Sequence, residues 1–299
     1  MIERLHGEAR YVQFALFQQF PELIHGSFTR LGGRSGPPFQ SLNVSVGVGD
    51  DFDNVIHNRL QALRSLDLDG YHCATAWMVH SADVLALDGE EWDDWRTDWP
   101  YRSYTVDGRE LVWTMRPRHK ADAVLTKKRG VALAMSSADC VPMMLYDPTR
   151  QAIGRIHAGW RGTARGVAAA AVDGMREQFG CQPEHIYAGI GPSIGPCCYE
   201  VSENVRGLFR GDMQFEIMPT GEHYRNLVRE SAVFTIQSNV GLRLDLWATN
   251  HNQLLMCGLL PEHIEVSGVC TCCEKELFYS YRGEHGKTGR FPSLLALRP

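Results

Sequence analysis

The stretch from Val141 to Ile156 constrains the fold of this chain more than any other segment. It contains two apolar runs, Val141–Tyr146 and Gln151–Ile156, separated by Asp147-Pro-Thr-Arg150. Apolar runs that flank an Asp-Pro turn signal are typical of two strands joined by a turn. The stretch is therefore predicted to form an antiparallel hairpin.

The hairpin predicts which polar residues meet at its open end. If it is symmetric about Pro148-Thr149, Cys140 faces His157 directly, and facing residues have Cβ atoms roughly 4.5–5.5 Å apart. A thiol and an imidazole at that distance can share one metal ion or one proton. Pro142 weakens the prediction of register, because a proline inside a strand favours an edge or a bulge.

Short apolar runs and helical spacing predict the other elements. The predicted strands are Ser41–Val46, Thr75–His80, Ala123–Thr126, Val131–Met135, Ile186–Ile190 and Ile264–Val269, and the predicted helices are Asp50–Leu66, Thr163–Phe179, Glu200–Phe209 and Asp245–Cys257. No repeat or linker divides the chain, and 44% apolar with 22% charged residues is ordinary for a globular protein. We therefore expect an α+β fold in which residues 1–299 form a single domain, with a mixed β-sheet layered against helices.

Residues 89–119 differ in composition from the rest of the chain. They contain Trp92, Trp95, Trp99 and Trp113 among many charged residues. We expect this segment to be an inserted flap or loop rather than part of the core. Its aromatic side chains either cover a pocket or a partner, or pack together on the surface.

The charge pattern favours a small-molecule partner. The formal net charge of −5 comes from 30 basic and 35 acidic residues spread along the chain, so no basic stripe for nucleic acid or an anionic membrane stands out. The N-terminus is polar, and no run approaches the roughly 18 apolar residues of a membrane span. Nine cysteines, an odd number, favour free thiols in a reducing compartment. We expect a cytoplasmic protein.

His80, Cys140 and His157 each follow or close an apolar, strand-like run. Two imidazoles and one thiolate suit zinc and leave a fourth position for water or substrate. Their spacing is unlike the tight pairs of structural zinc sites, so buried structural residues are one alternative. A cysteine facing a histidine can also form a thiolate nucleophile without metal. In that case Asp139 orients the histidine if it lies in a loop, and otherwise it is a solvated or capping carboxylate.

Other cysteines and histidines give weaker signals. Cys197-Cys198 and Cys270-Thr-Cys-Cys273 suggest a second metal site, but they do not share a regular C-x-x-C spacing, and unligated thiols are the alternative. The 12 histidines include no two separated by a single residue, which argues against a multicopper centre.

Two arginines are candidates for binding an anion. Arg30 lies in a glycine-rich loop, and Arg161 lies near the start of the predicted alanine-rich helix, whose N-terminus favours a phosphate. Arginine suits bidentate contacts with phosphate. The alternative for each is an ordinary surface arginine.

Ordered motifs along most of the chain resemble the laccase-domain family, whose members are also called polyphenol-oxidase-like proteins, purine nucleoside phosphorylases and peptidoglycan editing factors. The resemblance extends from about residue 25 to the C-terminus. The motifs that carry it are Thr29-Arg-Leu-Gly-Gly33, Ser41-Leu-Asn43, Met78-Val-His80, Ala121-Asp-Ala-Val-Leu-Thr126, Ala138-Asp-Cys140, His157-Ala-Gly-Trp-Arg-Gly162, Gly191-Pro-Ser-Ile-Gly-Pro-Cys-Cys-Tyr-Glu-Val201, Asp245-Leu246, Cys270-Thr271, Phe278-Tyr-Ser-Tyr-Arg282 and Thr288-Gly-Arg290.

The resemblance implies a metal site and a reaction. The matching cysteine and histidines of the family bind a metal, usually taken to be zinc, which implies His80, Cys140 and His157 as ligands, with copper as the alternative metal. The family is similar in activity to phosphate-dependent cleavage of adenosine, inosine and methylthioadenosine, and to adenosine deamination. Arg30 and Asn43 match motif positions near its substrate pocket.

We therefore expect a zinc-dependent purine nucleoside phosphorylase with adenosine deaminase activity. The candidate catalytic residues are Cys140, His80, His157 and Asp139, and the candidate substrate-binding residues are Arg30, Asn43 and Arg161. Three alternatives stay open: a cysteine-dependent amide hydrolase that edits peptidoglycan precursors, a copper-dependent polyphenol oxidase, and a non-enzymatic binding protein. Met78 stands where the family usually has glutamine, and this departure, like the insertion, bears on the choice of substrate.

Overall fold

A computed structural model of the chain describes residues 1–88, 103–106, 109–213, 222–237 and 241–299. Within these ranges the strands are β1 (Ile2–His6), β2 (Ala9–Gln13), β3 (Leu23–Phe28), β4 (His72–Trp77), β5 (Val84–Ala86), β6 (Ser103–Val106), β7 (Arg109–Lys120), β8 (Ala123–Thr126), β9 (Val131–Ser137), β10 (Val141–Asp147), β11 (Ala152–Ala158), β12 (Tyr187–Ile190), β13 (Phe234–Gln237), β14 (Gly241–Leu244), β15 (Ile264–Val266) and β16 (Phe291–Leu297). The α-helices of the same ranges are α1 (Phe52–Arg64), α2 (Trp160–Ala164), α3 (Val167–Phe179), α4 (Glu203–Arg210), α5 (Arg225–Ser231) and α6 (Leu246–Met256).

Two large mixed sheets dominate the architecture. The order of the first is β1-β2-β3-β16-β9-β4-β7-β6, and the order of the second is β15-β12-β10-β11-β8-β5. Each contains both kinds of pairing. In the first sheet β9 is parallel to β4 and antiparallel to β16. In the second sheet β10 is antiparallel to β11, and β8 is parallel to β5. The prediction of an α+β fold with mixed pairing layered against helices is confirmed, and the strands divide between two sheets instead of one.

Successive side chains of the central strands build separate core layers. Leu133 of β9 and Tyr146 of β10 belong to the cluster between the two sheets. Ala134 of β9 packs with α1, and Leu145 of β10 packs with α3. Because alternate residues of a strand point to opposite faces, the central strands are covered on both faces, and every residue of β10, β11 and β16 is buried. Since β16, near the C-terminal end, lies between β3 and β9, we infer that the described residues form one domain.

Two predicted elements are wrong. Ser41–Val46 is not a strand, because the Asn43 side chain accepts the N–H of Ser45 and turns the backbone. The helix predicted at Thr163–Phe179 is two helices, α2 and α3, divided at Gly166, which has a φ of 78°. A Cβ at Gly166 would lie 2.7 Å from the Cβ of Tyr224, so this break also depends on close packing.

The predicted hairpin is present as β10 and β11, but its predicted register is wrong. Pro142, and not Cys140, lies opposite His157. Cys140 comes one residue before β10 begins. The shift is two residues, an even number, so Cys140 and His157 stay on the same face of the hairpin.

The turn of the hairpin explains the shift. Asp147 accepts the backbone N–H groups of Thr149 and Arg150 at 2.8 and 3.0 Å. This bonding stabilises a turn over Pro148–Gln151, which is two residues longer than a turn of Pro148 and Thr149 alone. The Asp-Pro signal locates the turn correctly but does not fix its length.

Part of the predicted tryptophan-rich insertion belongs to the first sheet. Residues 103–106 and 109–120 form β6 and β7, an antiparallel pair, and β7 runs parallel to β4. This pair lies at one edge of the sheet, so the interpretation of the segment as an inserted flap stays a prediction. Residues 89–102 lie outside the described residues. None of the helices that the structure describes is long and apolar enough to span a membrane.

The buried His25 makes a testable contribution to stability. Its Nε2 accepts the Phe14 N–H at 2.9 Å, and burial lowers the pKa of His25 to about 4. The unfolded chain, with a histidine pKa of about 6.5, binds more protons between these two values, so stability falls as the pH falls through this window. We expect wild type to lose about 2 kcal/mol more than His25→Gln between pH 7 and pH 5, measured by chemical denaturation. Equal losses in the two proteins would contradict the assignment.

Candidate metal centre

The three predicted ligands meet at one end of the second sheet. His80 lies in the turn after β4, Cys140 in the loop between β9 and β10, and His157 in β11. One donor atom from each lies within 4.8 Å of those of the other two, and the imidazole centroids are 5.0 Å apart. The His157 side chain is buried, whereas His80 and Cys140 are half-buried, so the centre opens on the side of these two residues.

Asp122 lies in the short connection between β7 and β8, and it holds both histidines in place. Its Oδ1 lies 2.9 Å from His157 Nδ1. Its Oδ2 accepts the N–H groups of Val79 and Ser81 at 3.1 and 2.7 Å, and the Ser81 hydroxyl at 3.0 Å. One carboxylate therefore fixes the His157 ring and the turn that carries His80, whose φ is 60°. Because Nδ1 is bonded to Asp122, Nε2 is the His157 nitrogen that is left to bind a metal ion.

The two histidines of the centre differ in protonation at pH 7. Burial lowers the pKa of His80 to about 4, so His80 is neutral at pH 7. Burial also opposes charge on His157, but Cys140 and Asp122 outweigh it and raise the pKa of His157 to about 9. A divalent cation would replace the His157 proton, because a metal requires the deprotonated ligand. Two imidazoles and one thiolate fit zinc, and they also fit copper.

Gly159 leaves the room that the donors need. A Cβ at this position would lie 2.8 Å from Cys140 Sγ and 3.0 Å from His80 Nδ1. Its φ of −71° is accessible to any residue, so only the space, and not the backbone conformation, requires glycine.

Gly159→Ala is expected to lower the zinc affinity of the centre by at least about tenfold, since the added methyl displaces two donors. The loss of a glycine N-cap is expected to cost about 1 kcal/mol or less in folding stability. Competition with a chromophoric chelator measures the affinity. Gly36→Ala is the control, because a Cβ at Gly36 meets nothing within 4 Å. Unchanged zinc affinity in Gly159→Ala would show that the donors do not act together.

Asp139 is not the residue that orients His157. Its Oδ1 accepts the Thr271 hydroxyl at 2.7 Å, and its Oδ2 accepts the Arg282 N–H at 2.6 Å. Asp139 does lie in a loop, with a φ of 85°. Both carboxylate oxygens are thus used to hold the loop that presents Cys140, and Asp122 takes the role predicted for Asp139.

Arg30 and Asn43 also have internal partners. Arg30 donates to the Gln40 and Lys275 carbonyls, each at 2.8 Å, and to Glu284 Oε1 at 2.9 Å. The fully buried Asn43 donates to Asp50 and accepts the N–H of Arg290 at 2.9 Å. In this structure both side chains join loops around the centre.

Three other arginines surround the centre. Arg165 donates to the His80 carbonyl at 2.9 Å, and the exposed Arg161 lies 4.3 Å from the centroid of the Trp160 ring. Arg161 belongs to the five-residue α2, so the predicted contribution of the alanine-rich helix N-terminus is wrong. Burial lowers the pKa of Arg290, while nearby Cys140 and Asp139 act in the opposite direction, which places this cation on the Cys140 side.

Sequence reasoning missed Asp122 and Arg290 as site residues. The available signal for Asp122 was an acidic residue enclosed by the apolar residues Ala121 and Ala123, where an unpartnered carboxylate is costly. Arg290 offered no such signal, because its position next to Cys140 depends on the pairing of β16 with β9.

A cavity of about 170 Å³ lies between the loop that follows Asn43 and the ends of β4 and β9, and none of the three candidate ligands lines it. Its walls include Trp77 and Met78, which precede His80, and Met135 and Ser136, which precede Cys140. Met78 is a wall residue of this cavity, and its bearing on the choice of substrate stays a prediction.

Comparisons with known proteins agree on one family. Residues 24–298 match the family described as multi-copper polyphenol oxidoreductase laccase. The chain is 35% identical over 282 residues to purine nucleoside phosphorylase YlmD of Geobacillus stearothermophilus, covering 93% of this chain and 92% of that protein. It is 32% identical over 292 residues to purine nucleoside phosphorylase YlmD of Bacillus subtilis, covering 94% and 91%. The crystal structure of YlmD from Geobacillus stearothermophilus superposes with a TM-score of 0.76 at 31% identity, covering 100% of this chain and 99% of that one.

Proposed function

The chain belongs to the multi-copper polyphenol oxidoreductase laccase family, and on that premise we propose that it is a zinc-dependent purine nucleoside phosphorylase. The observation that carries the proposal is the convergence of His80, Cys140 and His157 within 4.8 Å, in a chain whose relatives bear that name. Zinc in this centre would supply a Lewis acid with a position open to substrate.

The residues around the centre have distinct roles in this proposal. His80, Cys140 and His157 hold the metal, and Asp122 fixes His157 in the tautomer that leaves Nε2 free. The cations Arg161 and Arg290 lie near His80 and Cys140, respectively, and attract the anionic co-substrate, inorganic phosphate. With phosphate held beneath the ribose, its oxygen attacks the sugar carbon while the bond to the purine breaks. The products are ribose 1-phosphate and the free base.

Adenosine deamination is a second reaction proposed for the same centre. It converts adenosine and water to inosine and ammonia and needs no phosphate. We expect purified protein with adenosine, inosine or methylthioadenosine to release the free base only when phosphate is present. Inosine formed from adenosine without phosphate would identify the deaminase reaction in the same chromatogram. Absence of both products would contradict the proposed function.

One specific observation favours a second candidate, the cysteine-dependent amide hydrolase. The Cys140 thiol lies within 4.8 Å of a His157 ring nitrogen, and Asp122 holds His157 in turn, which is the order of a nucleophile, a base and an orienting group. That chemistry does not use His80. A covalent adduct on Cys140 that also forms in His80→Ala would favour the hydrolase, whereas loss of zinc and turnover in His80→Ala favours the metalloenzyme.

A further inference from the structure

Two pairs of cysteines that are far apart in the chain meet at the surface. Cys197 and Cys198 follow β12, and Cys270 and Cys273 follow β15. The four sulfur atoms all lie within 4.8 Å of one another. Cys273 Sγ is 3.5 Å from both Cys197 Sγ and Cys198 Sγ, and all four thiols are free.

The backbone holds the two loops together without help from the sulfur atoms. Ser193 and Cys270 form a parallel bridge. The Ser193 N–H donates to the Val269 carbonyl at 3.2 Å, and the Thr271 N–H donates to the Ser193 carbonyl at 3.1 Å. The thiols therefore face each other in a preformed arrangement, in which a bound ion requires little reorganisation.

The sequence spacing and one backbone hydrogen bond also suit a metal-binding loop. Cys270 and Cys273 have the C-x-x-C spacing of zinc-binding loops. The Gly195 N–H donates to Cys270 Sγ at 3.2 Å. Hydrogen bonds of this kind disperse the negative charge of a coordinating sulfur.

Two guanidinium groups hold the backbone of the segment that carries Cys197 and Cys198. Arg243 donates to the Cys197 carbonyl. Arg282 donates to the Glu200 carbonyl at 3.0 Å and lies 5.3 Å from the centroid of the Tyr199 ring. A tetrahedral ion with Zn–S bonds of about 2.3 Å places sulfur atoms about 3.8 Å apart, close to the separations present here.

We propose that Cys197, Cys198, Cys270 and Cys273 bind a second, structural zinc ion. Four sulfur ligands close the tetrahedron, so this site leaves no position for substrate. The ion fixes the loop after β15, in which Thr271 holds Asp139 and thereby the loop that presents Cys140. The site supports the candidate metal centre structurally and is independent of the proposed function.

The test measures the metal in protein that lacks the first centre. Cys140→Ala, purified under reducing conditions from zinc-supplemented cells, is expected to retain one zinc ion per chain. X-ray absorption at the zinc edge should show four sulfur neighbours at about 2.3 Å and no nitrogen. Adding Cys273→Ser, a change at an exposed thiol, should remove this zinc, whereas adding Cys257→Ser should not. Circular dichroism establishes that each variant is folded.

Wild type provides a second measurement that does not depend on Cys140→Ala. It is expected to carry two zinc ions per chain, and Cys273→Ser alone one. Folded Cys140→Ala without zinc, or with nitrogen or oxygen neighbours around its zinc, would overturn the proposal. An intact mass two hydrogens below that of the reduced chain would also overturn it, because the cysteines would then form a disulfide.

Discussion

Cys140→Ala is expected to remove zinc from the centre of His80, Cys140 and His157 and to lower phosphate-dependent nucleoside cleavage at least about a thousandfold. The thiolate is the one anionic donor of the three, and without it two neutral imidazoles must hold the ion alone. The loss corresponds to about 4 kcal/mol of transition-state stabilisation, a size that metal-ion catalysis supplies. Metal analysis and chromatography of the reaction products measure the two effects.

Controls separate the loss of metal from the loss of fold. Cys257→Ser removes a half-buried thiol at the end of α6 and is expected to retain both zinc and turnover. Cys140→Ala should keep the wild-type circular dichroism spectrum, because Cys140 contributes to no strand. Full turnover by a metal-free Cys140→Ala protein would reject the metalloenzyme.

Asp122→Asn is expected to lower zinc affinity about 10–100-fold, with a similar loss of turnover. Asp122 accepts three hydrogen bonds at Oδ2 and contacts His157 Nδ1 at Oδ1. An amide has one oxygen, so in one orientation its NH₂ group meets the donors of Val79 and Ser81. In the other it donates to His157 and imposes the wrong tautomer. Zinc titration of the variant measures the effect.

A matched control is Asp88, a carboxylate at the opposite end of β8 from Asp122. Asp88 accepts the Thr126 hydroxyl at 2.8 Å and the Lys127 N–H at 2.9 Å, so it is also a structural carboxylate beside β8. Asp88→Asn is expected to lower stability without changing zinc affinity. If Asp122→Asn binds zinc as wild type does, Asp122 has no role in positioning the histidines.

The sequence predicted the apolar strands because they depend on local patterns. Val131–Met135 and Val141–Tyr146 are apolar at nearly every position, since both faces of these strands are covered. Local pattern could not predict the division into two sheets, because β16 joins β3 to β9 across most of the chain. It placed the hairpin turn correctly but not its length, which Asp147 determines.

The neighbours of the ligands depend on contacts between distant segments. Asp122 reaches His157 and Ser81 only when β8 pairs with β11 and the turn after β4 folds over it. Asp139 looked like an orienting group because it precedes Cys140. Its two carboxylate oxygens instead accept hydrogen bonds from the Thr271 hydroxyl and the Arg282 N–H, which are more than 130 residues away in the chain. Cys197, Cys198, Cys270 and Cys273 were a poor sequence signal for a second metal site for the same reason, because the cluster forms only when two distant loops meet.

Product analysis with metal-depleted and zinc-reconstituted wild type tests the proposed function most directly. Each preparation is incubated with adenosine, with and without inorganic phosphate. We predict that adenine and ribose 1-phosphate form only when both zinc and phosphate are present. Adenine release by the metal-depleted protein, or release at the same rate without phosphate, would contradict a zinc-dependent phosphorylase.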